Sequence, residues 1–289
     1  MRISGCSRLL VALFAVATSA RAEPAQLFHA GDTYEITRVR DSSNERNGTS
    51  SGSTHDQDTI SERIEAVRPD GLELLFDLPE GTTADERRQA WQFPFRVFKP
   101  FDGSLKLLNA AELETRVVAW LKWGKMTRSA CGHWIFTWNA FKIECDPQSA
   151  LETARAFDPT LPDLRDGAIY HDSYASRPTQ LTMKNRSDGR IFTASLVIDP
   201  NAIQRDRAQS DVVVGDITRK PITLESALAQ RSKEAISGTI EVLIDTDAAG
   251  GIRRMTKITK LATKKTDGTV ETETVNETLQ RRLISSGGR

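Results

Sequence analysis

The chain has 289 residues, 39 Lys plus Arg balanced by 39 Asp plus Glu, and three cysteines. That length holds one large or two small domains. The charge balance excludes a global basic excess of the kind that draws a protein to nucleic acid or an anionic membrane, so no nucleic-acid partner is expected.

The first 22 residues read as a secretory signal peptide. Arg2 and Arg8 precede the apolar run Leu9–Ala17, and Ala20-Arg21-Ala22 offers a small-residue cleavage site before Glu23. The run is too short to span a bilayer, and no later run approaches spanning length. Cys6 precedes the apolar run, whereas a lipid-modified cysteine would follow it, so no lipid anchor is expected. The mature chain from Glu23 reads as soluble. It keeps Cys131 and Cys145, and an even cysteine count in an exported chain predicts a disulfide. Closing a loop of about 15 residues stabilises a fold by about 3 kcal/mol in the chain-entropy picture. Cys131, His133 and Cys145 lack the C-x-x-C spacing of a structural zinc site, so no metal or other cofactor is expected.

In chain order, Gly31–Arg40 reads as a strand with Tyr34, Ile36 and Arg38 on one face. Residues 41–58 carry no apolar side chain and read as a long polar loop. Thr59–Arg68 and Leu72–Leu78 form a hairpin about Pro69-Asp70-Gly71. Charged residues 79–89 lead into a strand over Trp91–Lys99, which turns at residues 100–103 into Ser104–Leu108. Asn109 and Glu112 suggest a capping box opening a helix with Leu113, Val117, Trp120 and Leu121 on one stripe, ended by Gly124. Trp134–Glu144 reads as one aromatic-rich strand. Asp146-Pro147 opens a short helix to about Phe157, and the Pro-rich stretch to Asp166 is the best linker.

The second half predicts a hairpin of Gln180–Lys184 and Arg190–Ile198 about Asp188-Gly189, then a strand over Asp211–Thr218. A helix capped by Thr223 follows, and then three long strands, Gly238–Asp245, Ile252–Thr263 and Thr269–Leu283. A two-residue turn at Asp267-Gly268 would set Lys264 opposite Glu271. The basic cluster Arg253, Arg254, Lys257, Lys260, Lys264 and Lys265 then reads as a charged sheet face offset by cross-strand acids. The sum is a sheet-dominated α+β protein of long antiparallel strands and hairpins, in the style of a curved sheet or half-barrel, with about three short helices. The halves divide at residues 23–158 and 159–289, either as two units or as one continuous domain.

Motifs for chemistry are weak. Gly48-Thr49-Ser50-Ser51-Gly52 matches the nucleophile-elbow pattern but lacks its flanking strand and helix. His171-Asp172-Ser173 holds triad residue types, yet adjacent residues cannot converge on one point. Asp245 to Gly251 lacks the later oxygen ligands of a calcium loop. Asn47, Asn185 and Asn276 stand in glycosylation sequons. The densest aromatic stretch runs from Trp120 to Cys145, and Trp120, Trp123, Trp134, Phe136 and Trp138 are the candidate residues for binding a lipid, sugar or aromatic ligand. The alternative is that they fill the core. The style of the chain resembles that of curved half-barrel envelope proteins that bind lipids or partner proteins. That likeness is one of fold style and does not fix function; with the leader, the chain reads as an exported, non-enzymatic envelope protein, periplasmic in a Gram-negative host, that binds an apolar or amphipathic ligand or an envelope protein. The alternative is a hydrolase of an envelope polymer, with acidic residues and His133 or His171 as the candidate groups.

Overall fold

The computed structural model describes residues 28–101, 104–136, 140–161 and 163–287. The leader, Trp138 and the Asp102-Gly103 pair lie outside them. The strands are β1 (Thr33–Arg46), β2 (Thr49–Arg68), β3 (Gly71–Asp77), β4 (Phe95–Pro100), β5 (Lys106–Leu107), β6 (Trp134–Phe136), β7 (Ala140–Lys142), β8 (Ile169–Tyr170), β9 (Thr179–Gln180), β10 (Thr182–Arg186), β11 (Gly189–Val197), β12 (Ala235–Asp247), β13 (Ile252–Lys264) and β14 (Val270–Ser285). The helices are α1 (Ala84–Gln89), α2 (Ala110–Trp123), α3 (Ala150–Ala156), α4 (Pro200–Ile217) and α5 (Leu224–Arg231).

Ten strands make one antiparallel sheet in the order β10-β11-β12-β13-β14-β1-β2-β3-β4-β5. The first and last long strands are neighbours at its middle, paired from Thr33↔Ser285 to Arg46↔Glu271. β6–β7 and β8–β9 are separate small hairpins. Strand alternation gives the sheet one covered face and one bare face. On the bare face short polar side chains pair across strands, as in Thr37–Thr59 and Thr256–Thr278, each at 3.2 Å.

The covered face carries two apolar clusters. Ile36, Ile60, Leu74, Phe76, Phe95 and Val97 pack with Leu113, Val117 and Leu121 of α2 and with α3. Phe76 and Phe95 are directly opposed in register and stack at 5.1 Å. Phe192, Leu196, Ile240, Val242 and Ile244 pack with Leu181, Tyr170 and Ile203 of α4. Each large apolar side chain so buried contributes about 1.5–3 kcal/mol. The two clusters share one sheet but draw on opposite ends of it. Between them, on the covered face of β13, β14 and β1, stand Lys257, Glu277, Arg281, Arg38 and Arg40.

Several expectations need correction. Residues 41–58 are not a loop. They extend β1 and β2 into a long hairpin turned by Asn47-Gly48, both with positive φ, at 50° and 78°. This is the geometry that Asn-Gly favours. With neither face buried, no apolar alternation is required. The strands are held by their backbone ladder and by pairs such as Asp41–His55 at 2.6 Å and Ser42–Thr54 at 2.8 Å. Residues 211–217 are helical, and Thr218 caps the helix, so this stretch is not a strand. Asp199 caps α4 and Pro200 sits in its first turn, so a helix nucleated upstream carries through Val212–Val214. Residues 84–89 form a further helix, closed by a Thr83–Glu86 capping box. The stretch Trp134–Glu144 is the β6–β7 hairpin rather than one strand. Asn109 makes no capping hydrogen bond, because its Oδ1 accepts from the Arg96 N–H at 2.9 Å and its Nδ2 donates to Glu112 at 3.0 Å. Cys131 and Cys145 form the expected disulfide, with a sequence separation of 14.

The turn before β14 is also different. Lys264 pairs with Val270 and Thr263 with Glu271, one residue off the two-residue expectation. The Gly268 N–H bonds the Lys265 carbonyl, and Gly268 has φ 87°, the pattern of a three-residue loop closed by a left-handed glycine. A one-residue slip exchanges the two faces of a strand. Here it brings Lys257 opposite Glu277.

Candidate functional site

The seam between the two apolar clusters holds a cavity of about 250 Å³ lined by Arg38, Ala156, Tyr170, Met255, Lys257, Glu277 and Leu279. Its floor is the sheet. Met255 and Leu279 are directly opposed on β13 and β14, and Arg38 of β1 is opposite Leu279. Its walls are Ala156, at the end of α3, and Tyr170 in β8. Asp146 accepts from the Gln148 N–H and Pro147 starts the short turn that leads into α3, so local capping sets where Ala156 falls. Tyr170 is placed by the pairing of β8 with β9.

The polar side of the cavity is a chain of ion pairs. Glu277 accepts from Arg38 at 3.1 Å and lies 3.8 Å from Lys257 and 4.0 Å from Arg40. Lys257 also reaches the buried carboxylate of Asp172 at 3.3 Å. Three cations thus share two carboxylates. Asp58 and Asp56 stand opposite Arg38 and Arg40 in register on β2, without forming an ion pair to them among the described residues. Burial pushes the Tyr170 phenol up to about 12, with the negative charge of Asp172 adding to the effect. The phenol therefore stays neutral and can donate a hydrogen bond at any physiological pH. Tyr174 is raised for the same first reason, burial, and its hydroxyl donates to Asp206 at 3.1 Å.

The arrangement pairs apolar Met255, Leu279 and Ala156 with fixed charges and one phenol. A wholly apolar guest would strip water from those ion pairs and put nothing polar in its place, which costs free energy. A guest with a polar end could replace the lost water. The volume falls just under the range of about 300–1,000 Å³ typical of small-molecule sites, so it suits a small amphiphile or the polar end of a longer one.

The aromatic residues singled out in the sequence lie elsewhere. Trp120 is half-buried against the first cluster. Trp123 is 49% exposed at the end of α2 and Trp134 is 37% exposed in β6. Phe136 closes β6. In that strand the residue packed on the core is Ile135. Trp120, Trp123 and Trp134 do not line the seam cavity. His133 and His171 are exposed and do not line it either. The nucleophile-elbow match lies in the exposed hairpin of β1 and β2. Asp247 accepts from the Gly251 N–H to close a turn, and Asp245 pairs with Arg253 at 3.0 Å, which accounts for the calcium-like spacing.

Sequence reasoning missed Arg38, Tyr170, Lys257 and Glu277 as a set. The usable signal was the loop length before β14, since a three-residue loop places Lys257 opposite Glu277.

Fold and site together define an open antiparallel sheet with an amphipathic seam on its covered face. No protein-family model matches the chain, and no curated protein does. Among solved structures it is similar to lipovitellin, in a structure on lipid–protein interactions in lipovitellin. The identity is 8% and the TM-score 0.38, over 91% of this chain and 26% of that one.

Proposed function

We propose that the protein is an exported, non-enzymatic binder of a small amphiphile in the cell envelope, periplasmic where the host is Gram-negative. The single observation that carries this reading is the seam cavity, where Met255 and Leu279 face Arg38, Lys257, Glu277 and Tyr170. The Cys131–Cys145 disulfide and the signal-like leader fit an oxidising compartment. In the bound state the apolar part of the guest covers Met255 and Leu279. Its polar end takes hydrogen bonds from the Tyr170 hydroxyl and the Arg38 guanidinium.

Uptake of a fluorescent amphiphile, anilinonaphthalene sulfonate, tests this. Leu279→Trp places a larger ring in the cavity and should abolish the signal while the protein stays folded by circular dichroism. Uptake equal to that of the unaltered protein would refute the cavity as the binding site.

A further inference from the structure

We propose that the outer half of β2 is a docking edge, where an extended segment of a partner protein with basic side chains at alternate positions adds as a further strand. β3 pairs with β2 only from Ser61 onward, whereas β2 begins at Thr49. The far side of residues 49–58 is therefore a sheet edge, about 33 Å long at the usual rise per residue. Every residue in it is exposed.

The ladder fixes which backbone groups the edge presents. The Ile64 N–H donates to the Asp32 carbonyl at 2.9 Å, on the β1 side. Residues of an antiparallel strand bond to its two neighbours alternately, and the β1–β2 register runs unbroken from Thr33↔Arg63 to Asn44↔Gly52. Ser53, His55 and Gln57 therefore turn their N–H and C=O groups outward. Among the described residues nothing bonds those groups. The two outermost strands offer no comparable edge. β5 is two residues long. On the outer side of β10, the Leu181 N–H donates to the Ala168 carbonyl at 2.8 Å and the Met183 N–H to Asp166 Oδ1 at 2.9 Å. Sheets also guard open edges with Lys or Pro, and residues 49–58 contain neither.

Side chains set the chemistry of the partner. Asp56 and Asp58 share one face of the strand and make no ion pair among the described residues. The arginines opposite them, Arg40 and Arg38, are held by Glu277 at 4.0 and 3.1 Å. An added antiparallel strand places alternate residues directly opposite these two acids, where Lys or Arg is favoured. On the other face His55 is held by Asp41 at 2.6 Å, so Ser53 and Gln57 offer polar contacts only. The same acids tell against a second copy of the chain, because β2 set against β2 brings Asp56 and Asp58 up to their own counterparts. β1 is paired on both sides as far as Arg46, so the edge is held extended before docking and little freedom is lost on binding.

The test is fluorescence anisotropy of the full disulfide-bonded protein with a labelled peptide of alternating threonine and lysine, as long as the edge. The peptide should bind and slow hydrogen exchange at the Ser53, His55 and Gln57 amides. Glutamate in place of its lysines should abolish binding. So should N-methylation along its backbone, which keeps the charges but removes the strand donors. Asp56→Asn with Asp58→Asn should weaken binding about tenfold, through the loss of two cross-strand pairs. Gln57→Pro removes an outward donor and leaves the inward ladder alone, so it should abolish binding with melting unchanged. Equal binding of the N-methylated or the glutamate peptide would overturn the proposal. A concentration-dependent dimer that Gln57→Pro disrupts would assign the edge to a second copy and overturn it too. Leu279→Trp should leave peptide binding intact, so failure of the cavity reading and failure of this one are separable.

Discussion

Replacing Glu62 by Leu should be among the most damaging single changes outside the apolar clusters. Arg281 of β14 reaches across β1 to Glu62 of β2, and both side chains are nearly closed to solvent, at 10% and 8% exposure. The guanidinium gives two hydrogen bonds to one carboxylate oxygen, from Nε at 3.2 Å and Nη2 at 2.6 Å. It also lies 3.3 Å from the centre of the Tyr34 ring. Leucine at position 62 leaves that cation buried without its partner, a loss of about 3–5 kcal/mol. A whole domain is stable by only about 5–15 kcal/mol. Replacing both residues, as Glu62→Leu with Arg281→Met, removes the stranded charge, and such replacement of a buried pair is often neutral or stabilising by about 1–4 kcal/mol. Urea unfolding followed by circular dichroism on the two single variants and the double gives the coupling directly. The reasoning fails if Glu62→Leu costs under about 1 kcal/mol, or if the double variant is as unstable as the sum of the singles.

Two further outcomes follow. The three tyrosines of the chain are Tyr34, Tyr170 and Tyr174, and burial raises all three phenols, Tyr170 to about 12. A folded pKa above the unfolded value near 10 stabilises the fold fully below pH 10, and that contribution is lost as pH rises from about 10 to 12. Ultraviolet titration should show the last phenolate step vanish in Tyr170→Phe, and a normal titration near pH 10 would contradict the burial of this side chain. Separately, Cys131→Ser with Cys145→Ser should cost about 3 kcal/mol and lower the melting temperature by roughly 6–12 °C. Reducing the unaltered protein should give the same shift, and no shift in either case would show that the bridge does not hold the fold.

The sheet was legible wherever one of its faces is buried. Tyr34, Ile36 and Arg38 share a face as alternation requires, and Leu224–Arg231 is a helix whose cap, Thr223, accepts from the Ser226 N–H. Legibility ended where burial ends. The outer parts of β1 and β2 carry only polar side chains, so hydrophobic period is silent there and the Asn47-Gly48 turn was the remaining signal. Val212–Val214 favour a strand locally, but the Asp199-Pro200 start outweighs three β-branched residues. The cavity was illegible for a further reason. Arg38, Tyr170, Met255 and Glu277 lie on four separate elements, and Arg38 meets the β13–β14 hairpin only because β1 pairs with β14. The slip of one residue before β14 then hid Lys257 from Glu277.

Whether the seam holds an amphiphile is tested most directly by native mass spectrometry of the purified protein. A single small adduct should accompany the folded protein, dissociate under collisional activation, and be missing from Leu279→Trp. An unaltered protein that carries no adduct and takes none up when mixed with single-chain amphiphiles, or a Leu279→Trp protein that retains the adduct, would contradict it.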